Sequence, residues 1–397
     1  MHIKLVVNSF PSTSETFLFN LVVGLQAKGH RVSVCALSAS KHTELYKGRM
    51  NEWSGELDVI PFSSKGFNKI IGILSVLLSN IFLYSQKLKV HGWRKGILQT
   101  VYEVFLSKNK PDIIHFAYSG IGVSFLESIP LLKGKGIKIV TSCRGSAEKV
   151  RPIVDLKRKD ELKQLFVVCD KVHCVSMDMF MGLRQYGLVE SKSFVNFPSV
   201  NVHYFNRDSP YELNRTQTIK LVTTGRLHFQ KGYVYALHAI KKVIDAGFKI
   251  EYKIIGDGPD LHMMQYLIHE LGLHDIVVLT GKVSSSEVKT ILMESDIFVL
   301  PSLYEGIANA ALEAMALQIP LVTTRSGGMA EVINNEANGI IVNRFDLDAL
   351  ADAILKLIQH PELRLSISKE SRKVIEEKFN IENQLKIFEK NYLELCS

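Results

Sequence analysis

Two glutamates and two cations form the strongest chemical pattern in this chain. Glu305 and Glu313 stand eight residues apart in YEGIANAALEAMALQIP, and Arg226 and Lys231 occur upstream in LVTTGRLHFQKG. Carboxylates accept paired hydrogen bonds from vicinal hydroxyls, and fixed cations stabilise the negative charge that builds up on a departing diphosphate. The pattern indicates an enzyme that handles a sugar joined to a diphosphate.

The glutamates follow the predicted strand DIFVLPS, in a loop and the helix after it. The N–H groups of Gly306 and Ile307 would then precede a helix N-terminus, which favours a phosphate. In this arrangement Glu305 reaches the sugar hydroxyls and Glu313 reaches the ribose. Taken alone, the spacing also fits one loop glutamate and one solvated helical glutamate.

The two cations lie between a predicted strand and a predicted helix. One fixed donor of this kind typically lowers a barrier by about 3–4 kcal/mol. Neither paired carboxylates nor the spacing of the histidines indicates a bound metal, so Arg226 and Lys231 would do this work without one. The plain alternative is a surface loop with two solvated charges.

Four further residues are weaker candidates. Gly256, in IIGDGP, would let a backbone approach phosphate, and the turn at Val283 would offer backbone groups to a base. Ser14 fits a helix N-cap and is also a candidate cofactor-binding residue. Arg144, in VTSCRGSAE, is a candidate contact to the donor phosphate or the acceptor. His115, which ends PDIIHFA, is expected to be packed and not catalytic.

Short β-rich runs alternate with amphipathic helical stretches, which predicts βαβ units and parallel sheets. At 397 residues the chain is too long for one ordinary core. We expect two doubly wound α/β domains facing one another across a cleft, with residues 1–200 and 201–378 as domains and 379–397 as a final helix. The predicted strands are IKLVV, RVSVCAL, PDIIHFA, GIKIVTS, KVHCVS, IKLVTTG, FKIEYKIIG, DIVVLTG, DIFVLPS, IPLVTTR and GIIV.

The composition, 46% apolar and 22% charged, is that of a globular protein. Five scattered cysteines support neither a disulfide framework nor a zinc site and favour a reducing compartment. The N-terminus fits a first strand better than a secretory signal, so a cytoplasmic location is expected. No Gly-x-Gly-x-x-Gly fingerprint follows a first-domain strand, which argues against a dinucleotide-dependent oxidoreductase.

Much of the net charge of +8 comes from a basic stretch, residues 60–101, that contains no Asp or Glu. It includes the apolar run IIGILSVLLSNIFLY, which is too short to span a bilayer as a single helix. One interpretation is a helix on an anionic membrane surface, flanked by cations such as Lys87, Lys89, Arg94 and Lys95. The other is a buried core helix. Nucleic acid is disfavoured, because stacking aromatics are not interleaved with the basic residues.

At these residues the chain resembles the retaining glycosyltransferases of the GT-B fold, in the family-four group. The signatures GRLHFQKG, IIGDGP, LPSLYEGIANAALEAMA and SGGMAEVI resemble that group in order and spacing. FPSTSETFLFNLVVGLQAKGHRVSV and CRG are similar to a subgroup of exopolysaccharide and lipopolysaccharide assembly.

The resemblance implies that Arg226 and Lys231 hold the donor diphosphate, that Glu305 contacts the transferred sugar and that Glu313 binds ribose. It also implies retention at the anomeric carbon, deprotonation of the acceptor by a donor phosphate oxygen, and a final helix that crosses back onto the first domain. Two departures concern the acceptor side: residues 11–16 replace a glycine-rich loop, and Arg144 stands where many members have a histidine.

We therefore expect a metal-independent transferase without a cofactor, which uses a nucleotide-diphosphate sugar, with a UDP- or GDP-sugar as donor. Its expected acceptor is a lipid-linked chain or an oligosaccharide of a surface polysaccharide, with peripheral contact to anionic membrane. Two alternatives stay open: a sugar-nucleotide epimerase of similar fold, and a catalytically silent partner subunit.

Overall fold

The computed structural model describes residues 1–12, 15–40, 50–61, 67–213 and 217–397, with the backbone alone at residues 16, 50, 67–69 and 90–91. Ser14 lies outside the described residues. The strands are β1 His2–Phe10, β2 Arg31–Ala39, β3 Leu57–Val59, β4 Ile113–Phe116, β5 Lys138–Cys143, β6 Lys171–Cys174, β7 Ser193–Val195, β8 Thr218–Thr224, β9 Lys249–Ile255, β10 Val277–Gly281, β11 Ile297–Leu300, β12 Leu321–Thr324 and β13 Ile340–Val342. All the predicted strands are present, and β3 and β7 are additional.

Seventeen helices occur in the described part of the chain. They are α1 Thr16–Ala27, α2 Phe67–Ser79, α3 Ile81–Ser107, α4 Ser119–Ser124, α5 Ile129–Gly134, α6 Ser146–Lys149, α7 Arg151–Val154, α8 Leu156–Val168, α9 Met177–Leu183, α10 Tyr233–Asp245, α11 Leu261–Glu270, α12 Ser285–Met293, α13 Asn309–Ala316, α14 Met329–Val332, α15 Leu347–Gln359, α16 Pro361–Lys378 and α17 Ile381–Cys396.

The chain divides into two compact units. The first comprises Met1–Val175, Met179–Asn196 and Leu385–Ser397, and the second comprises Ser176–Asp178 and Phe197–Gln384. Each unit has its own parallel sheet with helices around it, the doubly wound architecture expected from the alternating pattern.

The first sheet has the strand order β3-β2-β1-β4-β5-β6-β7. Its central strands are largely apolar and mostly buried, because parallel strands are covered on both faces. The two strands that sequence patterning missed, β3 and β7, are three-residue strands at the edges of this sheet and are partly exposed, so neither carries a clear apolar run.

The end of α17 packs on the first unit, as the resemblance implies. The Tyr392 hydroxyl lies 2.6 Å from Nδ1 of His115, and Lys28 Nζ donates to Glu389 at 2.8 Å. His115 is buried, and burial lowers its pKa to about 3. The expectation that His115 is a packed residue is confirmed.

The second sheet has the order β10-β9-β8-β11-β12-β13. From β8 the chain builds outward in one direction through β9 and β10, and then in the other through β11 to β13. The reversal lies between β8 and β11. In open parallel sheets, ligands bind beyond the carboxyl ends of the strands at such a switch point.

The apolar run of the basic stretch is not one helix, which corrects the sequence-based expectation. The helix breaks at Asn80, and segments Ile70–Ser79 and Ile81–Lys89 meet at 95°. No single helix of the described residues is long and apolar enough to cross a membrane, although this bent pair passes that test by length and composition.

The interpretation of this run as a buried core helix is also wrong for most of its length. Leu78 and Phe82, for example, are 70% and 75% exposed. Lys87 needs a correction as well: its side chain is buried and forms a 2.8 Å ion pair with Glu103, so it is not a surface cation.

Candidate functional site

The loops after β8 and β11 lie side by side in the second unit because their strands are neighbours at the switch point. The Leu303 N–H donates to the Gln230 carbonyl at 2.7 Å and joins the two loops. Gly232 has φ +66°, and a Cβ there would lie 2.0 Å from the Pro301 carbonyl oxygen. The contact between the loops thus requires a glycine.

Lys231 ends a short 3₁₀ turn, Phe229–Lys231, and its ammonium points to the loop after β11. Nζ of Lys231 lies 2.6 Å from Oε1 of Glu305. Both side chains are mostly buried, at 22% and 13% exposure. The two residues are 74 positions apart in sequence, and only the adjacency of β8 and β11 brings them together.

Glu305 is held by more than this ion pair. Its Oε1 also accepts a hydrogen bond from the Ser302 hydroxyl at 2.7 Å. Its backbone is supported by the loop after β12, where the Gly328 N–H donates to the Gly306 carbonyl at 2.8 Å. A Cβ at Gly327 would lie 1.8 Å from the Glu305 carbonyl oxygen. The carboxylate therefore has a defined position before any ligand arrives.

Arg226 follows β8 directly and is exposed. Its guanidinium forms no ion pair with any described residue, so its charge is available to a ligand. The next residue fixes the local backbone, since the Leu227 N–H donates to the Asp257 carbonyl at 3.1 Å. This bond connects the loop of Arg226 to the turn after β9.

Gly256 closes β9 where two backbones nearly touch. Its φ is +144°, and a Cβ would lie 1.9 Å from the Gly225 carbonyl oxygen. The Gly256 N–H donates to the Gly281 carbonyl at 3.0 Å, which connects the loops after β9 and β10. Val283 follows Gly281 and packs partly against an apolar cluster of this unit. These residues thus belong to the same edge of the sheet as Arg226.

Gly306 and Ile307 immediately precede α13, which begins at the predicted place with Ala308 as its N-cap residue. In the described part of the chain their N–H groups form no backbone hydrogen bond, whereas the Gly306 carbonyl accepts from Gly328. Free N–H groups beside a helix N-terminus create a site for an anion.

Glu313 lies in the middle of α13 and is half-buried. Burial raises the pKa of its carboxyl to about 7. A carboxyl group with this pKa is partly protonated at neutral pH, and a hydrogen-bonding ligand that favours the carboxylate would stabilise the charged form.

Arg144 lies in the first unit, at the carboxyl end of β5. Its Nε donates to the Ala117 carbonyl at 3.2 Å, and its guanidinium lies 4.4 Å from the ring centroid of Phe17. Glu15 and Tyr118 are nearby at the ends of β1 and β4, and the Tyr118 hydroxyl donates to Glu15 at 2.8 Å. Within the first unit, the structure therefore places Arg144 at the carboxyl-end edge of the sheet.

Sequence reasoning missed the residues that hold Glu305 in place. Ser302 donates to the carboxylate, while Gly327 and Gly328 contact the backbone of Glu305 and Gly306. A signal was present, because two consecutive glycines follow a predicted strand in SGGMAEVI. Glycines at such a place mark close approach of two backbones.

Chemically, this edge combines a lysine, an exposed arginine and free N–H groups with the Glu305 carboxylate, and Glu313 lies in the helix that follows. The cations and N–H groups suit a diphosphate, and the carboxyl groups suit hydroxylated rings. Among the described residues, no cluster of three or more His, Cys, Asp or Glu side chains is placed to hold a metal ion.

Comparison with protein families divides the chain into two matching parts. Residues 206–374 match the family described as glycosyl transferases group 1. Residues 14–204 match glycosyltransferase family 4. The first of these matches contains Arg226, Lys231, Glu305 and Glu313.

Full-length relatives occur among bacterial polysaccharide enzymes. The chain is 27% identical to the putative colanic acid biosynthesis glycosyltransferase WcaL of Escherichia coli K12. The alignment is 399 positions long and covers 96% of each chain. It is also 27% identical to the amylovoran biosynthesis glycosyltransferase AmsK of Erwinia amylovora, again over 96% of each. The structure of Anabaena HepE with UDP and glucose superimposes with a TM-score of 0.76 and 12% identity, covering 99% of this chain and all of HepE, which shows a shared fold.

Proposed function

The chain belongs to the glycosyltransferases of group 1 and family 4 and has a GT-B fold of two Rossmann-like domains, and from this premise we propose that it is a retaining enzyme that uses a nucleotide-diphosphate sugar. The proposed acceptor is a lipid-linked or polysaccharide chain of a surface glycan. The names of WcaL and AmsK, which refer to colanic acid and amylovoran biosynthesis, support this acceptor class. The epimerase and the silent partner subunit gain no support from these relatives.

The Lys231–Glu305 pair at the switch point carries the proposal. A diphosphate that enters this edge of the sheet offers Lys231 a more highly charged partner than one carboxylate. Once Lys231 turns to the diphosphate, Glu305 is released to accept hydrogen bonds from the transferred sugar. Binding of the donor therefore exchanges a contact within the protein for two contacts with the ligand.

The cations would act mainly on the leaving group. Cleavage of the sugar–phosphate bond leaves additional negative charge on the departing diphosphate, and Arg226 and Lys231 stabilise this charge as it forms. The N–H groups of Gly306 and Ile307 add neutral donors at the helix N-terminus. A carboxyl group at Glu313 receives the ribose hydroxyls. With this set, no metal ion is needed to stabilise the leaving group.

Retention follows if the acceptor attacks from the face that the diphosphate leaves. A donor phosphate oxygen then takes the proton from the acceptor hydroxyl, so no protein base is required on the opposite face. Arg144, in the first domain, is proposed to contact the donor phosphate or the acceptor. A cytoplasmic location with contact at the inner membrane face is part of the same proposal.

The donor class is testable by thermal shift with uridine, guanosine, thymidine and adenosine diphosphates. Ligand binding to the folded state raises the apparent stability by mass action, so the tightest binder gives the largest shift. We expect uridine or guanosine diphosphate to dominate, since HepE binds UDP together with glucose. The shift should decrease strongly in Arg226→Ala. The absence of a shift with all four nucleotides would refute the proposed donor.

A further inference from the structure

Helices α2 and α3 present a large apolar surface to solvent. We call this surface the α2–α3 face. Its side chains are 41–75% exposed and are Ile70, Ile71, Leu74, Leu78, Ile81, Phe82, Leu88 and Trp93. Contiguous apolar patches of this kind are rare on monomeric proteins and mark interaction sites.

The spacing of these residues shows an organised surface. Ile70, Leu74 and Leu78 recur every four positions along α2, so they share one side of that helix. Leu77, near the end of α2, is buried, and α2 packs against α3. In α3, Ile81 and Leu88 are seven positions apart and again share one side. Trp93 follows a kink in α3 at Gly92, where φ is +72°. The face is thus the outer surface of a packed helix pair.

The charges carried by the segment that forms the α2–α3 face, residues 60–101, have one sign. Residues 60–101 contain no carboxylate, whereas Lys89, Arg94 and Lys95 are exposed. The guanidinium of Arg94 lies 5.0 Å from the ring centroid of Trp93. Lys95 approaches Glu127 at 3.2 Å, but both side chains are more than half exposed, so this ion pair is weak. A partner that matches this face has an apolar interior for the exposed apolar side chains and an anionic surface for the cations.

A second exposed apolar segment spans the junction of α7 and α8. Ile153, Val154 and Leu156 are 73%, 84% and 73% exposed. The exposed cations Arg151 and Lys157 flank them, and Asp155 is engaged as the N-cap of α8 and as a partner of Arg151. Like the α2–α3 face, this segment combines exposed apolar side chains with exposed cations.

One groove connects the two segments. A cavity of about 630 Å³ is lined by Lys95 of α3 and by Lys157 of α8, together with the carboxylates of Glu127, Asp160 and Glu161. Trp93 is two residues before Lys95, and Leu156 directly precedes Lys157. One cation from each segment, Lys95 and Lys157, therefore borders the same groove of the first unit.

From this arrangement we propose that the α2–α3 face and residues 151–157 together bind the surface of an anionic lipid bilayer. The apolar side chains enter the boundary between headgroups and acyl chains, and the cations contact lipid phosphates. Trp93 suits this boundary because its ring is apolar and its N–H remains near water.

The inference deepens the proposed function and depends on it in one respect, that a lipid-linked acceptor is met at this surface. Vesicle binding by itself requires neither donor nor acceptor. A protein that binds nucleotide but not vesicles would refute the lipid surface alone, and one that binds vesicles but transfers no sugar would refute the proposed reaction alone.

The test is flotation of the full chain with vesicles of phosphatidylcholine, with and without 30% phosphatidylglycerol. We expect binding to the anionic vesicles that decreases as salt is added. Changing Lys89, Arg94 and Lys95 to Glu should lower the partition coefficient by about 100-fold, since each basic residue at an anionic surface contributes about five-fold. Leu78→Ser with Phe82→Ser, and separately Ile153→Ser with Val154→Ser, should each lower it by about ten-fold or more.

The control is Tyr266→Ser with Phe345→Ser, which removes exposed aromatics of the second unit and should leave vesicle binding unchanged. All variants should keep the thermal shift with nucleoside diphosphate, which shows that they fold. Equal binding to neutral and anionic vesicles, or full binding by the charge variant, would overturn the proposal. A different result would assign the face to a second copy of the chain: the protein self-associates in sedimentation, the Leu78 and Phe82 substitutions abolish this, and no vesicle binding is seen.

Discussion

Lys231 and Glu305 form an ion pair of 2.6 Å across two loops of the second unit, with Ser302 as a further donor to the same carboxylate oxygen. The lysine is therefore neutralised while no ligand is bound. An anion that binds there competes with Glu305 for Lys231. This exchange gives each residue a separate, measurable role.

Lys231→Met should reduce turnover by roughly 10²–10³-fold, because one charged donor to a departing diphosphate typically contributes about 3–4 kcal/mol. The measurement is the rate of sugar transfer at saturating donor. Lys241→Met is the matched control, because that lysine is on α10 and pairs with Asp245. Turnover of this variant should change by less than two-fold. Turnover of Lys231→Met within five-fold of the original chain would contradict the role.

Glu305→Gln should separate binding from transfer. The amide keeps the volume of the side chain but no longer competes for Lys231, so affinity for a nucleoside diphosphate is expected to stay the same or increase. Transfer should decrease by about 100-fold or more because a charged acceptor of hydrogen bonds is lost. Calorimetric titration and a transfer assay give the two quantities. A parallel decrease in both would mean that Glu305 serves the diphosphate pocket alone.

Glu313 makes stability depend on pH. Its folded pKa of about 7 is above the ordinary value of 4.5, so between these values the unfolded chain releases a proton that the folded chain keeps. Stability therefore decreases as pH rises through this window, by at most about 3 kcal/mol, and levels off above it. Glu313→Gln removes this loss and should be more stable than the original chain at pH 8 but not at pH 4.5.

The same substitution should weaken nucleotide binding, since an ionised Glu313 is the better acceptor for ribose hydroxyls. Affinity of the original chain should increase between pH 6 and pH 8, and that of Glu313→Gln should be lower and flat. Thermal unfolding and nucleotide titration at the two pH values check both statements. Equal pH profiles for the two proteins would exclude Glu313 as the titrating group.

Gly327→Ala should displace Glu305. The new Cβ would lie 1.8 Å from the Glu305 carbonyl oxygen, at φ +56°. Gly247→Ala is the matched control, because Gly247 also has a positive φ, +90°, but nothing lies within 4 Å of its Cβ position. Both should lose about 1–2 kcal/mol of stability from backbone strain, and Gly327→Ala alone should lose transfer as well. Equal activity in the two variants would show that the loop tolerates the shift.

Most of the fold could be predicted from local patterns. Buried strands such as β11 and β13 are continuous apolar runs, and glycine or loop residues mark the ends of the strands, so the signal lies within each segment. The charged candidates were recognisable for the same reason: Arg226, Lys231 and Glu305 each lie in the loop that follows a predicted strand.

The sequence pattern was less informative where a single residue decides how a segment folds or packs. The run of residues 70–84 has the composition of one helix, but the chain breaks at Asn80 and exposes its apolar side chains. Lys87 belongs to a basic stretch by sequence and to a buried ion pair with Glu103 by structure. Neither outcome is determined within the segment itself, because each depends on which neighbours pack against it.

The sequence by itself thus determined the residue types, the strands that precede them and the chemistry that they suit. Only the tertiary structure decided that Lys231 meets Glu305, because β8 and β11 are neighbours although β9 and β10 lie between them in the chain. The physical reason is that the order of strands in a sheet is set by packing between distant segments. The close glycine contacts that hold Glu305 depend on the same long-range packing.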